Sequence, residues 1–160
     1  GLISAGMEEM SRHLIENVRL RPGFREFAYF CGDKGVHLEI ASDGFGFTIE
    51  VLLEYWGLQW IPWNSNTFIP SPSGARMEFP HLREGCEVNA NCKCSHLDKL
   101  IGKYDHVIFV GDGTTDLCAG RRAPIVFARD ELARILESEG KDFIKWESWR
   151  EIREFLATMI

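Results

Sequence analysis

Apolar positions along the chain switch between a helical and a strand-like spacing, and that alternation sets the expected architecture. Residues 4–18 carry Met7, Met10, Leu14 and Val18 at helical intervals, with Ser4 as the expected cap and Glu8 and Glu9 near the positive end. This helix is expected to lack a packing partner. A second helix is predicted from Pro22, a good first-turn residue, through Phe24, Phe27, Ala28 and Cys31 to a stop at Gly35. Residues 36–41 read as a strand ending in the turn sequence Ser42-Asp43-Gly44, and residues 45–55 as an apolar helix. Residues 58–80 concentrate Trp60, Ile61, Trp63, Phe68, Ile69, Met77 and Phe79 around the turn-rich Pro70-Ser71-Pro72-Ser73-Gly74. They predict a β-hairpin with a long loop.

After a polar loop over residues 81–91 and a helix over 95–101, Val107-Ile108-Phe109-Val110 reads as a strand buried on both faces. Gly111-Asp112-Gly113 ends it with a turn that calls for small residues. A short helix from Asp116, a strand over 125–128, a helix from Asp130 to Glu137, an edge strand over 143–146 and a last helix capped by Ser148 complete the pattern. The alternation predicts an α/β fold, with a mostly parallel Rossmann-like sheet, helices on both faces and an added hairpin.

Length and composition narrow the class. The 160 residues suffice for one domain with a substantial core, and 45% apolar with 26% charged residues is a globular balance. A net charge of −6 without a basic stripe argues against nucleic acid as partner. No apolar run approaches a membrane span, and residues 1–3 lack the basic start and apolar core of a signal peptide, so no membrane partner is expected. Of the five cysteines, two lie in apolar stretches and read as reduced core residues, which points to a cytoplasmic location. The chain starts at Gly1, which suggests processing or truncation.

Candidate chemistry gathers at strand ends. Asp112 sits at the carboxyl end of a buried strand, where open α/β sheets bind ligands, and Asp116 falls in the following turn, so two carboxylates can converge on a hard cation or a phosphate. Ser42 opens onto the same rim. Its hydroxyl and the Gly44 amide can hold a phosphoryl oxygen, although Ser-Asp-Gly is also a common plain turn. Lys93 stands just before a helix, where an ammonium can balance phosphate and carboxylate charge or simply face solvent. Cys86, Cys92, Cys94, His81 and His96 suggest zinc by composition, but Cys-x-Cys is tighter than the usual knuckle and no second pair follows.

In their order, Ser42, Lys93 and Gly111-Asp112-Gly113-Thr114-Thr115-Asp116 resemble the second, third and fourth motifs of the haloacid dehalogenase-like phosphatases. Arg21-Pro22-Gly23-Phe24-Arg25-Glu26-Phe27, Ser42-Asp43-Gly44-Phe45-Gly46-Phe47, Cys92-Lys93-Cys94 and Val126-Phe127-Ala128-Arg129-Asp130 extend the likeness over nearly the whole chain. Within that superfamily it is most similar to the phosphoserine-phosphatase-like branch, and there to the 2-hydroxy-3-keto-5-methylthiopentenyl-1-phosphate phosphatases of methionine salvage.

The resemblance implies a Mg²⁺-dependent phosphomonoester hydrolase acting on a small phosphorylated metabolite. Ser42, Asp43, Gly44 and Lys93 would bind phosphate, and Asp112 and Asp116 would serve the metal. Such enzymes attack phosphorus with the first Asp of an Asp-x-Asp-x-Thr motif, and no Asp-x-Asp occurs in these residues. The resemblance therefore implies that residues 1–20 are the remnant of a helical cap and residues 21–160 a core lacking its first strand. Such a truncated chain is expected to be inactive alone and open to homodimer formation through the unpaired sheet edge or the N-terminal helix. The alternative is a non-catalytic phosphate- and metal-binding or partner-interaction module on the same fold.

Overall fold

The computed structural model describes residues 2–71, 74–84 and 90–160, with side chains from residue 6 onward. Helix α1 (Leu2–Asn17) and helix α2 (Phe24–Asp33) lead into strand β1 (Ile40–Phe45) and helix α3 (Gly46–Tyr55). Strands β2 (Trp63–Ser71) and β3 (Gly74–Glu78) follow, then helix α4 (Lys93–Ile101) and strand β4 (Ile108–Gly111). A 3₁₀ turn at Thr114–Asp116 passes into helix α5 (Leu117–Arg122), and strand β5 (Ile125–Ala128), helix α6 (Asp130–Ser138), strand β6 (Ile144–Lys145) and helix α7 (Trp149–Ala157) complete the chain. The α/β class expected from the alternation is what forms.

The sheet is divided. Strands β4, β5 and β6 make a parallel three-stranded sheet in that order. Strands β1, β2 and β3 make a second one, in which β1 pairs parallel with β2 and β2 antiparallel with β3. The hairpin closes with Ser71 opposite Gly74, a tighter connection than the long loop expected, and residues 72–73 between them lie outside the description.

Period-two alternation places β4 and β5 between two helical layers. Phe109, Val126 and Ala128 face the core made with Leu97, Ala119, Leu132 and Leu136 of α4, α5 and α6. Ile108, Val110, Ile125 and Phe127 face the opposite core, built with Phe27 and Cys31 of α2 and Ile152 and Leu156 of α7. Helices thus cover both faces, as expected. A third cluster of Ala28, Leu53, Leu58 and Ile61 packs under β1.

Several local expectations change. Residues 36–39 are not strand, and β1 instead runs on through Ser42, Asp43 and Gly44, because pairing with β2 carries the backbone past the turn sequence. Helix α1 begins before Ser4, so that serine lies inside the helix rather than capping it. Contrary to expectation α1 does have a neighbour, α3, although none of its described side chains is fully buried. Asp130 is the first residue of α6 rather than its cap, with a left-handed φ of 47°.

Between the two sheets lies a cleft of about 630 Å³. Ile40 and Ala41 of β1 line one wall and Ile108, Phe109 and Val110 of β4 line the other, and the cleft also touches Lys93 and Asp116.

Candidate functional site

The rim is built from loops that leave the carboxyl ends of β1 and β4. Pairing of β1 with β2 runs in register at Ala41 and Asn64 and resumes only at Phe45 and Asn66. Ser42, Asp43 and Gly44 therefore form an irregular bulge, a device that re-aims backbone and side chains beside binding sites. Inside it the Gly44 amide donates to Ser42 Oγ at 3.1 Å. That amide, expected to face a phosphoryl oxygen, is turned onto the serine instead. Asp43 turns inward as well: its Oδ1 accepts from the Asn91 backbone N–H at 2.7 Å, and its carbonyl accepts from Asn66 Nδ2 at 2.7 Å.

Asn91 ties the parts together. Fully buried, it donates from Nδ2 to the Ser42 carbonyl at 2.7 Å and to the Asn64 carbonyl at 2.9 Å, and its Oδ1 lies 2.7 Å from His96 Nε2. A carbonyl-oxygen acceptor there requires the proton on Nε2. Burial, reinforced by His81, lowers the pKa of His96 from its ordinary 6.5, against an upward pull from Glu39. One asparagine thus fixes the β1 bulge, β2 and the start of α4 relative to one another.

Lys93 opens α4, and its side chain is only 9% exposed. Its ammonium pairs with Asp116 Oδ1 and donates to Thr115 Oγ1 at 3.1 Å. The other Asp116 oxygen, Oδ2, accepts from the backbone N–H groups of Asp112 at 2.9 Å and Gly113 at 3.0 Å. Gly111 is required by this arrangement, since a Cβ there would lie 2.8 Å from the Asp116 carboxylate. Asp112 points outward, 51% exposed, 3.5 Å from the Arg21 guanidinium.

The structure therefore brings Lys93, Asp112 and Asp116 directly together, whereas the Ser42 hydroxyl is engaged by the Gly44 amide and only the Ser42 backbone carbonyl is held, by Asn91, two residues before Lys93. Asp112 offers an outward hard-oxygen donor, whereas both Asp116 oxygens are engaged by protein donors. This donor set fits a hydrated Mg²⁺ at Asp112, with Asp116 holding the loop behind it.

The residues expected for zinc are placed differently. The His81 and His96 rings meet edge-on at 4.7 Å, and Cys86 lies outside the described residues. Cys94 is joined to Cys118 in a disulfide, a pairing that the sequence did not suggest. Cys31 does remain a buried thiol, its pKa pushed up to about 11 by burial.

Asn91, Asn66 and Arg21 were not singled out by the sequence. An asparagine in a polar loop carries no periodic signal, and only tertiary hydrogen bonds mark Asn91 out. Arg21 was visible only as part of a motif.

A divided α/β sheet whose strand ends collect a buried Lys–Asp pair, an outward carboxylate and a serine-bearing bulge has the layout in which α/β proteins bind ligands at strand ends. The family described as "Putative Phosphatase" matches residues 4–160. The chain belongs to that family, among the haloacid dehalogenase-like phosphatases.

A 2-hydroxy-3-keto-5-methylthiopentenyl-1-phosphate phosphatase from Geobacillus thermodenitrificans is 36% identical over 138 residues, 83% of this chain and 61% of the relative. The protein of that name from Geobacillus kaustophilus is 33% identical over 156 residues, 94% of this chain and 69% of the relative. A bifunctional enzyme MtnB/MtnX from Bacillus licheniformis is 30% identical over 151 residues, and the chain covers 35% of its length. A crystal structure of a phosphoserine phosphohydrolase-like protein from Francisella tularensis shares the fold at a TM-score of 0.63 and 22% identity, with 96% of this chain and 68% of that one covered. The chain thus spans only part of the relatives it matches. Among the described residues no helix is long and apolar enough to cross a membrane.

Proposed function

We propose that this chain is the phosphate- and cation-binding portion of a Mg²⁺-dependent phosphomonoester hydrolase acting on a small phosphorylated metabolite. The observation that carries the reading is the convergence of Lys93, Asp112 and Asp116, with Lys93 and Asp116 lining the cleft between the two sheets and Asn91 holding the Ser42 backbone two residues before Lys93. The Ser42 hydroxyl would donate to a phosphoryl oxygen, and Lys93, already buried and charge-paired, would neutralise the transferring group. Asp112 would hold Mg²⁺, which when bound supplies charge neutralisation. Asp116 would keep Lys93 and the Asp112 loop in position. A methylthiopentenyl phosphate is the metabolite type that the relatives' names favour.

The carboxylate that attacks phosphorus is not among these residues, since no Asp-x-Asp occurs in them. We infer that a further strand carries it and lies in the cleft, between the facing edges of β1 and β4. Both walls are apolar strands and the rim lies at one end. On this reading α1 is the remnant of a cap. A cytoplasmic location and the absence of nucleic-acid or membrane partners belong to the same proposal, as does homodimer formation through an unpaired sheet edge or the N-terminal helix.

Assaying the 160-residue chain with an aryl phosphate and Mg²⁺ tests the reading. Turnover at background is expected, together with Mg²⁺-dependent phosphate binding that Ser42→Ala and Lys93→Met weaken. Strong turnover abolished by Asp112→Asn would overturn the missing nucleophile. Absence of phosphate binding would overturn the rim itself.

A further inference from the structure

Beside the Lys93–Asp116 pair, three sulfur atoms gather. Cys92 and Cys94 flank Lys93 at the start of α4, and Cys118 lies two residues past Asp116 in α5. All three Sγ atoms lie within 4.8 Å of one another. Cys92 and Cys94 are completely buried, and the Cys94–Cys118 disulfide spans a Cα separation of 6.1 Å. A disulfide needs two cysteines. A third sulfur at the same point, on a stretch whose tight Cys-x-Cys spacing did not suggest a site by itself, is what a thiolate ligand set would look like.

We propose that in the reduced chain Cys92, Cys94 and Cys118 together hold one thiophilic d¹⁰ cation, Zn²⁺ or Cu⁺, and that the disulfide is the oxidised, metal-free form of the same site. Thiolates select such cations over hard ones, so this site does not compete with the carboxylate rim for Mg²⁺. With metal–sulfur bonds of about 2.3 Å, sulfurs around one ion sit roughly 4 Å apart, which the cluster nearly provides once the bonded pair separates. Zn²⁺ would take a fourth, small donor.

The interconversion balances simply. A dithiol reductant delivers two electrons and two protons to the Cys94–Cys118 bond, giving two thiols, and is itself oxidised to a disulfide. Cation binding then forms three metal–sulfur bonds and releases three protons from the thiols. Because the ligands sit one or two residues from Lys93 and Asp116, either form joins α4 to α5 beside that ion pair, by a covalent bond in one case and by coordination in the other.

Titrating the phosphine-reduced chain anaerobically with Co²⁺, then Zn²⁺, tests the site. One equivalent of Co²⁺ giving thiolate charge-transfer absorption is expected, with displacement by Zn²⁺ and no binding to the oxidised chain. Cys92→Ser and Cys118→Ser should each weaken binding at least tenfold. No stoichiometric binding to the reduced, folded chain would overturn the proposal. So would binding undiminished in both variants, which would place the metal elsewhere, for instance at His81 and His96. Where a variant fails to fold, mapped iodoacetamide labelling of the unaltered chain decides: Zn²⁺ should slow labelling at all three cysteines, and zinc-independent labelling there refutes the site.

Discussion

The side chain of Asn91 donates a 2.7 Å hydrogen bond to the backbone carbonyl of Ser42, joining the residue before the Cys-Lys-Cys stretch to the bulge of β1. The same amide group reaches the Asn64 carbonyl, and the Asn91 backbone N–H reaches Asp43. Rim geometry therefore depends on a residue that touches no ligand in the proposed chemistry.

Replacing Asn91 by Ala should cost about 2–4 kcal/mol, because it removes the donor to two half-buried carbonyls and the partner of the buried His96. The urea midpoint of the variant measures this. A loss below that of an ordinary surface substitution would show that water or rearrangement replaces the network.

Lys93 and Asp116 form a buried pair whose two halves are unequal. Asp116→Asn would leave a buried ammonium without its counter-charge and weaken the anchoring of two backbone amides, whereas Lys93→Met leaves Asp116 those two donors. Breaking a buried pair from one side costs about 3–5 kcal/mol. Asp116→Asn should fall at the upper end and Lys93→Met below it. Thermal unfolding of both variants checks the order, and the reverse order would mean that the amide contacts contribute little.

Gly111→Ala places a methyl group against the Asp116 carboxylate, at 2.8 Å from its carbon. Overpacking of this kind costs about 1–3 kcal/mol. The displaced carboxylate should also release Lys93, so phosphate affinity, read by calorimetry, should fall with stability. Unchanged stability and affinity would mean that the loop gives way without strain.

His96 should make stability depend on pH. Burial and His81 hold its folded pKa below 6.5, with Glu39 opposing, so below pH 6.5 the unfolded chain binds more protons than the folded one. Its contribution is complete above pH 6.5 and is lost as pH falls from there through the lower folded value. His96→Gln should flatten that part of a melting-temperature profile. An identical slope in the variant would assign the acid sensitivity to other groups.

The sequence by itself determined the elements whose signal is local. Val107 to Val110 and residues 125–128 are runs of β-formers that pack on both faces, and α6 and α7 carry their apolar stripes in plain periodicity, so their positions were legible within a residue or two. The order of Ser42, Lys93, Asp112 and Asp116 was legible too, because the order of polar and charged residues at strand ends is a property of the linear chain.

Tertiary structure alone decided the rest, since it depends on contacts between segments distant in sequence. Partnership with β2 drew Ser42-Asp43-Gly44 into a bulged strand and turned the Gly44 amide away from the rim. Packing of α4 on α5 brought Cys94 to Cys118 and Lys93 to Asp116, pairs separated by more than twenty residues. It also set the two carboxylates apart: Asp116 is sequestered by three protein donors, whereas Asp112 faces outward beside Arg21.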